Sequence, residues 1–268
     1  MASAKTTVAT KKPEAPANDM LVLVQDQLPD YLQPVAGSEA RGNENVSTDD
    51  IVIPRLEVVQ ALSPAVKDGD PAYNPLARPG MLMNSVTRQL YGKDVMVVDV
   101  FFTKQYLVWG KRKDVNGKPL EGGFFGAFGD EMSAHARMLQ EANNPNLEIV
   151  DTPQHFCLLL NPESHEPEEV MVSMPRTKAK VSRQWNSLIR LAQGDRFSRV
   201  YKISTVLEKK PQGDYYNFGV AQAGFPSKGL YERAEKLYTS VAAGDRKVVM
   251  DVSDFETAEA GAGEETEM

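Results

Sequence analysis

Short apolar runs bounded by turn residues fill the middle of the chain. "DVMVVDVFF" (94–102), "KQYLVWGKR" (104–112), "QHFCLLL" (154–160) and "EEVMVSM" (168–174) are rich in β-branched and aromatic residues. Each is too short for a buried helix and reads as a strand. The last two flank a polar "NPESHEPE" segment and predict a hairpin. "SRVYKISTVLEKK" (198–210) and "DYYNFGVAQAG" (214–224) alternate around a Pro-Gln-Gly turn and predict a longer one. Upstream, "GMLMNSVTRQLYG" (80–92) reads as a strand running into a turn. Pro54 cannot donate to a ladder, so it confines "IVIPRLEVVQAL" (51–62) to a sheet edge.

Elsewhere the period changes from two to nearly four. In "TKAKVSRQWNSLIRLAQGD" (177–195), Val181, Trp185, Leu188, Ile189 and Ala192 recur on one helical face, with Arg183 and Arg190 opposite Trp185. Thr177 is placed to cap the start and Gly194 to end the helix. "SKGLYERAEKLYTSVAAG" (227–244) sets Leu230, Ala234, Leu237, Tyr238 and Val241 on one face, and a third helix is predicted from about 131 to 142. "DVNGKPLEGGFFGAFGD" (114–130) holds an Asn-Gly turn and a glycine–aromatic loop, either a base-contacting loop or a hairpin capped by its own aromatics. Six or seven strands with two or three helices make a β-rich α+β domain. Short antiparallel strands with an inserted helix suit an OB-like antiparallel barrel. The expected organisation is a flexible N-terminal arm and linker over 1–50, with a short apolar helix from Met20, one OB-like domain over 51–250, and a disordered acidic tail over 251–268.

Charge sharpens this division. The whole chain carries a net charge of −7, and the tail "DVSDFETAEAGAGEETEM" holds seven acids and no base, so residues 1–250 are neutral. From Arg176 to Lys210 ten basic residues face only Asp195 and Glu208. A polyanion responds to that local field and not to the chain's sum.

Several chemistries are unsupported. No Gly-Lys-Ser/Thr loop, His-Glu-x-x-His or Cys-x-x-Cys occurs. His155 and Cys157 share a strand face but lack further ligands at useful spacing, so no metal is expected. Ser164–His165–Glu166 is a polar turn. Nothing selects a catalytic pair, and neither an enzyme nor a cofactor is expected. The single cysteine, Cys157, allows no internal disulfide, which fits a reducing compartment. No apolar run approaches a membrane span and the N-terminus lacks a signal-peptide core, so a cytoplasmic protein is expected.

Aromatic rings interleaved with bases are what remains. "FFTKQYLVWGKRK" (101–113), "RFSRVYKISTVLEKK" (196–210) and "DYYNF" (214–218) combine them. Single-stranded nucleic acid needs this mixture, a basic groove for phosphates and ring faces for bases. The competing reading is structural. Alternate strand aromatics face a core, Trp185 lies on an apolar helical face, and the bases form an ordinary solvated surface. Weighing both, Tyr106, Trp109, Tyr201 and Tyr216 are the stacking candidates. Lys104, Lys111, Arg112, Arg183, Arg199 and Lys202 are the phosphate candidates.

A β-rich core followed by an acidic tail resembles the single-stranded-DNA-binding proteins of bacteriophages and bacteria. "IPRLEVVQALSP", "GMLMNSV", "YGKDVMVVDVFF" and "RQWNSLIR" resemble phage proteins of that kind, and the likeness spans roughly residues 50–268. The resemblance implies an OB fold, sequence-tolerant DNA binding in replication or recombination, and contact with replication or recombination proteins through residues 251–268. It is compatible with a homo-oligomer. Here the tail ends in "EETEM" instead of an apolar or aromatic residue, and its aromatic, Phe255, sits near its start. Two other functions fit the residues: a phage protein-binding module that inhibits or redirects a host enzyme, and a virion or scaffold component.

Overall fold

A 17-residue strand organises the molecule. The structure, a computed structural model, describes Asn45 and residues 52–243, apart from 112, 115, 121, 142–145, 163–165 and 212. The N-terminal arm, the helix predicted from Met20, the acidic tail and Arg112 lie outside the described residues.

In chain order the strands are β1 (Leu56–Val58), β2 (Leu82–Asn84), β3 (Leu90–Gly92), β4 (Asp94–Gly110), β5 (Phe124–Phe128), β6 (Leu147–Leu160), β7 (Pro167–Ser173), β8 (Val200–Lys210) and β9 (Gly213–Gly224). The helices are α1 (Glu131–Gln140), α2 (Ala179–Ala192) and α3 (Lys228–Ala243). The two runs expected at 94–102 and 104–112 are therefore one strand. A register shift between Asp99 and Phe101 bends it without ending it.

β4 pairs with β6 along nearly its whole length. Its other edge serves two neighbours in turn, β8 through residues 94–97 and β5 through residues 106–109. The main sheet runs β7-β6-β4-β8-β9, all antiparallel, with β5 beside the far end of β4. The result is a strand-rich α+β fold with three helices. No closed barrel forms among the described residues, because β7 and β9 do not pair.

The segment 54–60 lies in the opening between them. Met171 of β7 donates its backbone N–H to Pro54 O at 2.8 Å. On the β9 side the Gln60 side chain behaves like a strand residue: its Nε2 donates to Tyr216 O at 2.7 Å and its Oε1 accepts from Tyr216 N at 2.8 Å. β1 then pairs with β2 and β2 with β3 in a small separate sheet. β1 is the edge of that sheet, as Pro54 requires.

Burial follows the strand period. On one face Val95 and Val97 of β4, Cys157 and Leu159 of β6, Val170 and Val172 of β7, and Tyr201 and Ile203 of β8 form the main core. α2 closes this core with Val181 and Trp185. On the opposite face Val98, Val100 and Leu158 lie under Ala234 and Leu237 of α3. The start of α2 differs from the expected cap. A 3-10 turn over Arg176–Lys178 precedes it and the N-cap residue is Lys178, with no side-chain cap, so Thr177 sits one residue too early. Its end is as expected, with Gly194 at φ +95° just beyond.

Candidate nucleic-acid interface

α2 has two unlike faces, as its pattern requires. Trp185 is fully buried, while Lys180, Arg183, Gln184, Ser187, Arg190 and Leu191 are exposed at three- and four-residue spacing. No acid occurs between Arg176 and Gln193. Among the described residues Lys180, Arg183 and Arg190 have no carboxylate within ion-pair distance. From Lys180 to Arg190 this basic face spans about 15 Å at the helical rise.

β4 extends the face at its side. Lys104 is exposed and close enough to Arg183 for the two charges to oppose each other. Its ammonium donates to Asp151 Oδ2 at 2.9 Å, and that bond raises the Lys104 pKa. Both side chains are nearly half exposed, so the pair contributes little stability and a phosphate can compete for the lysine. Tyr106 follows on the same strand face, half-buried against the cluster that α1 covers. Near the other end of the stripe, Glu208 accepts from Tyr215 and Asn217. Those bonds hold its carboxyl below the usual range, with Lys210 and Lys180 adding to the effect.

The structure thus brings Lys104, Tyr106 and Arg183 together and distributes the other candidates elsewhere. Lys111 is exposed beyond the end of β4. Lys202 sits on the opposite side of the sheet from α2, paired with Asp94 at 3.1 Å. Arg199 is half-buried and donates to Ser198 O and Ala192 O at 3.1 and 3.3 Å.

Three of the rings are packed. Trp109 is 5% exposed and rests against Phe124 at 5.0 Å between centroids. Tyr201 is fully buried against Trp185. Neither has a face to offer a base, because strand alternation turns both rings into clusters. Tyr216 is half-buried over Gly80, so close that a Cβ there would lie 2.5 Å from its ring. "GGFFGAFGD" resolves its two readings in part: Phe124–Phe128 form β5, and Phe125 and Phe128 pack under α1.

Beneath α2 lies a constellation with no local sequence signal. His155 Nδ1 meets Asp99 Oδ2 at 2.7 Å, and its Nε2 meets Ser182 Oγ at 2.8 Å. A carboxylate against Nδ1 assigns the proton to that nitrogen, leaving Nε2 to accept from the serine hydroxyl. Arg196 Nη1 donates to the same Asp99 oxygen at 2.8 Å. The imidazole stacks on Trp185 at 4.3 Å, nearly parallel. The order is that of a nucleophilic triad, but Asp99 and His155 are 0% exposed and Ser182 1%. A sealed Oγ has no room for a substrate carbonyl, so in this arrangement the chain of bonds braces α2 against β4 and β6. Among the described residues no group of three or more His, Cys, Asp or Glu is set to hold a metal ion, and no helix is long and apolar enough to cross a membrane.

These features define a strand-rich α+β protein with one basic helix face. The chain belongs to the Pam3 phage gp34-like protein family, whose model matches residues 21–247, and so to a bacteriophage family. No curated protein and no solved structure matches it.

Proposed function

We propose that this protein binds single-stranded DNA with little sequence preference and protects it during replication or recombination. The exposed face of α2 carries the reading: three bases in a row, no acid on the helix, and Lys104 alongside. A likeness in strand order to OB domains supports it. Five strands, β4, β6, β7, β8 and β9, make a sheet left open between β7 and β9, with α2 between the third and fourth. OB domains are five-stranded and partly open, and bind through the loops after their first and fourth strands. Here the first of those connections carries Lys111, Arg112 and Lys113, and the second is flanked by Lys209 and Lys210. The acidic tail, tethered to the same chain, has a high local concentration and competes for the basic face. Displaced by DNA, it is free to contact replication or recombination proteins.

The test is a titration of labelled oligo-dT with wild type and with Arg183→Glu/Arg190→Glu. Wild type is expected to bind with a steep salt dependence. The double variant should bind at least tenfold more weakly, its slope shallower by about 0.7 per lost phosphate contact. Absence of oligonucleotide binding at low salt would remove the proposal.

One observation favours a protein partner instead. Met132 and Leu139 of α1 are 81% and 77% exposed on one helical face, which suits a protein-binding module acting on a host enzyme. Capture of a host protein by wild type but not by Met132→Ser/Leu139→Ser, with no oligonucleotide binding, would decide for that reading.

A further inference from the structure

Of the four aromatic rings chosen from sequence, Trp109 and Tyr201 are buried, and Tyr106 and Tyr216 are half-buried against core clusters. A strand-binding surface needs more, because stacking supplies the part of affinity that salt does not weaken. Phe225 provides it. It is 70% exposed, against 42% for Tyr73 and Tyr238. It immediately follows the end of β9, and Pro226 restricts its backbone.

The ring is held from one side. The Arg199 guanidinium lies over it, 4.4 Å from the centroid. That guanidinium is itself fixed by its bonds to Ser198 O and Ala192 O. Ala192 is the last residue of α2, so the ring stands near the C-terminal end of that helix. The cation also offsets the partial negative charge of that helix end, which would otherwise repel a phosphate. Among the described residues neither Arg199 nor Arg233 has a carboxylate partner. Arg233 donates to Pro167 O at 2.9 Å.

Phe225 also borders an open cleft of about 490 Å³, with Leu160, Pro167, Val200, Leu230 and Arg233 along its wall. The volume falls in the range of small-ligand sites, about 300–1,000 Å³. An apolar wall, an exposed ring backed by a cation and a guanidinium at the rim suit a flat heterocycle joined to a phosphate. We infer that Phe225 is a base-stacking platform, and that the cleft between it and α3 takes an unpaired base of a single strand whose phosphates run along α2. This rests on the function proposed above. It also reassigns Arg199, selected from sequence as a phosphate contact, to the support of a ring.

Phe225→Trp and Phe225→Ala test it with oligo-dT as the probe. Trp109 and Trp185 are both buried, so wild-type emission should change little on binding. Phe225→Trp adds an exposed indole, and oligo-dT should quench its long-wavelength emission saturably. Phe225→Ala should weaken binding by about tenfold to a hundredfold with an unchanged salt slope, since no charge is lost. An unchanged melting temperature would show that the fold is intact. If wild type binds oligo-dT while Phe225→Ala binds equally well and Phe225→Trp is unquenched, the platform is overturned and the α2 proposal stands. If wild type does not bind, the α2 proposal fails and the platform with it. Indole emission that is already quenched without DNA, and recovers on deleting residues 251–268 or on dilution, would give the cleft to the chain's own Phe255 or to a second copy and overturn the inference.

Discussion

Asp99 serves two partners through one oxygen, His155 from β6 and Arg196 from the turn before β8. Removing it would leave an imidazole and a guanidinium without their acceptor in a buried setting. Asp99→Ala should therefore destabilise the protein by about 3–5 kcal/mol. Ser182→Ala should cost about 1–3 kcal/mol, since it strands only His155 Nε2. Urea titration followed by circular dichroism checks both, and Ser182→Ala should leave oligonucleotide binding intact. Loss of binding at full stability would mean that the bonds do more than brace α2. A second residue sets an alkaline limit. Burial pushes the Tyr91 hydroxyl up to about 12, and its bond to Glu168 adds to the rise. The folded state thus holds that proton more tightly than the unfolded chain does. Its stabilisation is complete below the ordinary tyrosine value of 10.0 and is lost as pH rises from there towards 12. Denaturation midpoints taken across pH 8–12 should be flat and then fall, and Tyr91→Phe should flatten the fall.

Elements meet closely where glycine allows it. Gly80 sits at φ +86° with the Tyr216 ring against it, and its carbonyl accepts from Thr205 Oγ1 at 2.6 Å. Gly80→Ala combines a left-handed backbone with a side-chain collision. It should lower the melting temperature clearly, whereas Gly69→Ala, left-handed but in open space, should lower it less. Most elements were legible from the residues alone. The apolar positions of α2 and α3 fixed both helices within two residues, and the two hairpins were marked by their turns. The continuity of β4 was not legible, because polar Thr103 and Lys104 interrupt the apolar run while the backbone keeps its pairing with β6 through them. The site was less legible still. Alternation shows that a strand has two faces but not which face is covered, so Tyr201 and Trp109 looked the same as available rings. Phe225, followed by proline and lying outside any periodic run, gave no signal beyond its type. Asp99, His155 and Ser182 lie 56 and 27 residues apart, and only the pairing of β4 with β6 and the docking of α2 unite them.

At the level of the whole molecule, opposite charges are segregated along one chain. Deleting residues 251–268 removes seven acids and should tighten oligo-dT binding, most at low salt and little at high salt. Equal affinity of the two forms across salt would end the competition model while leaving DNA binding untouched. Connectivity matters as much as charge at this scale. β4 is a measuring rod with a joint at Asp99–Phe101, and the two strands on its second edge meet it on either side of that joint. Residues gained or lost beyond Tyr106, with matching changes in β6, would lengthen or shorten the overhang that carries β5 and α1. The pairing of 94–97 with 201–204 would keep its alignment. The overhang can therefore be recut to suit a different contact without retuning the half that holds α2.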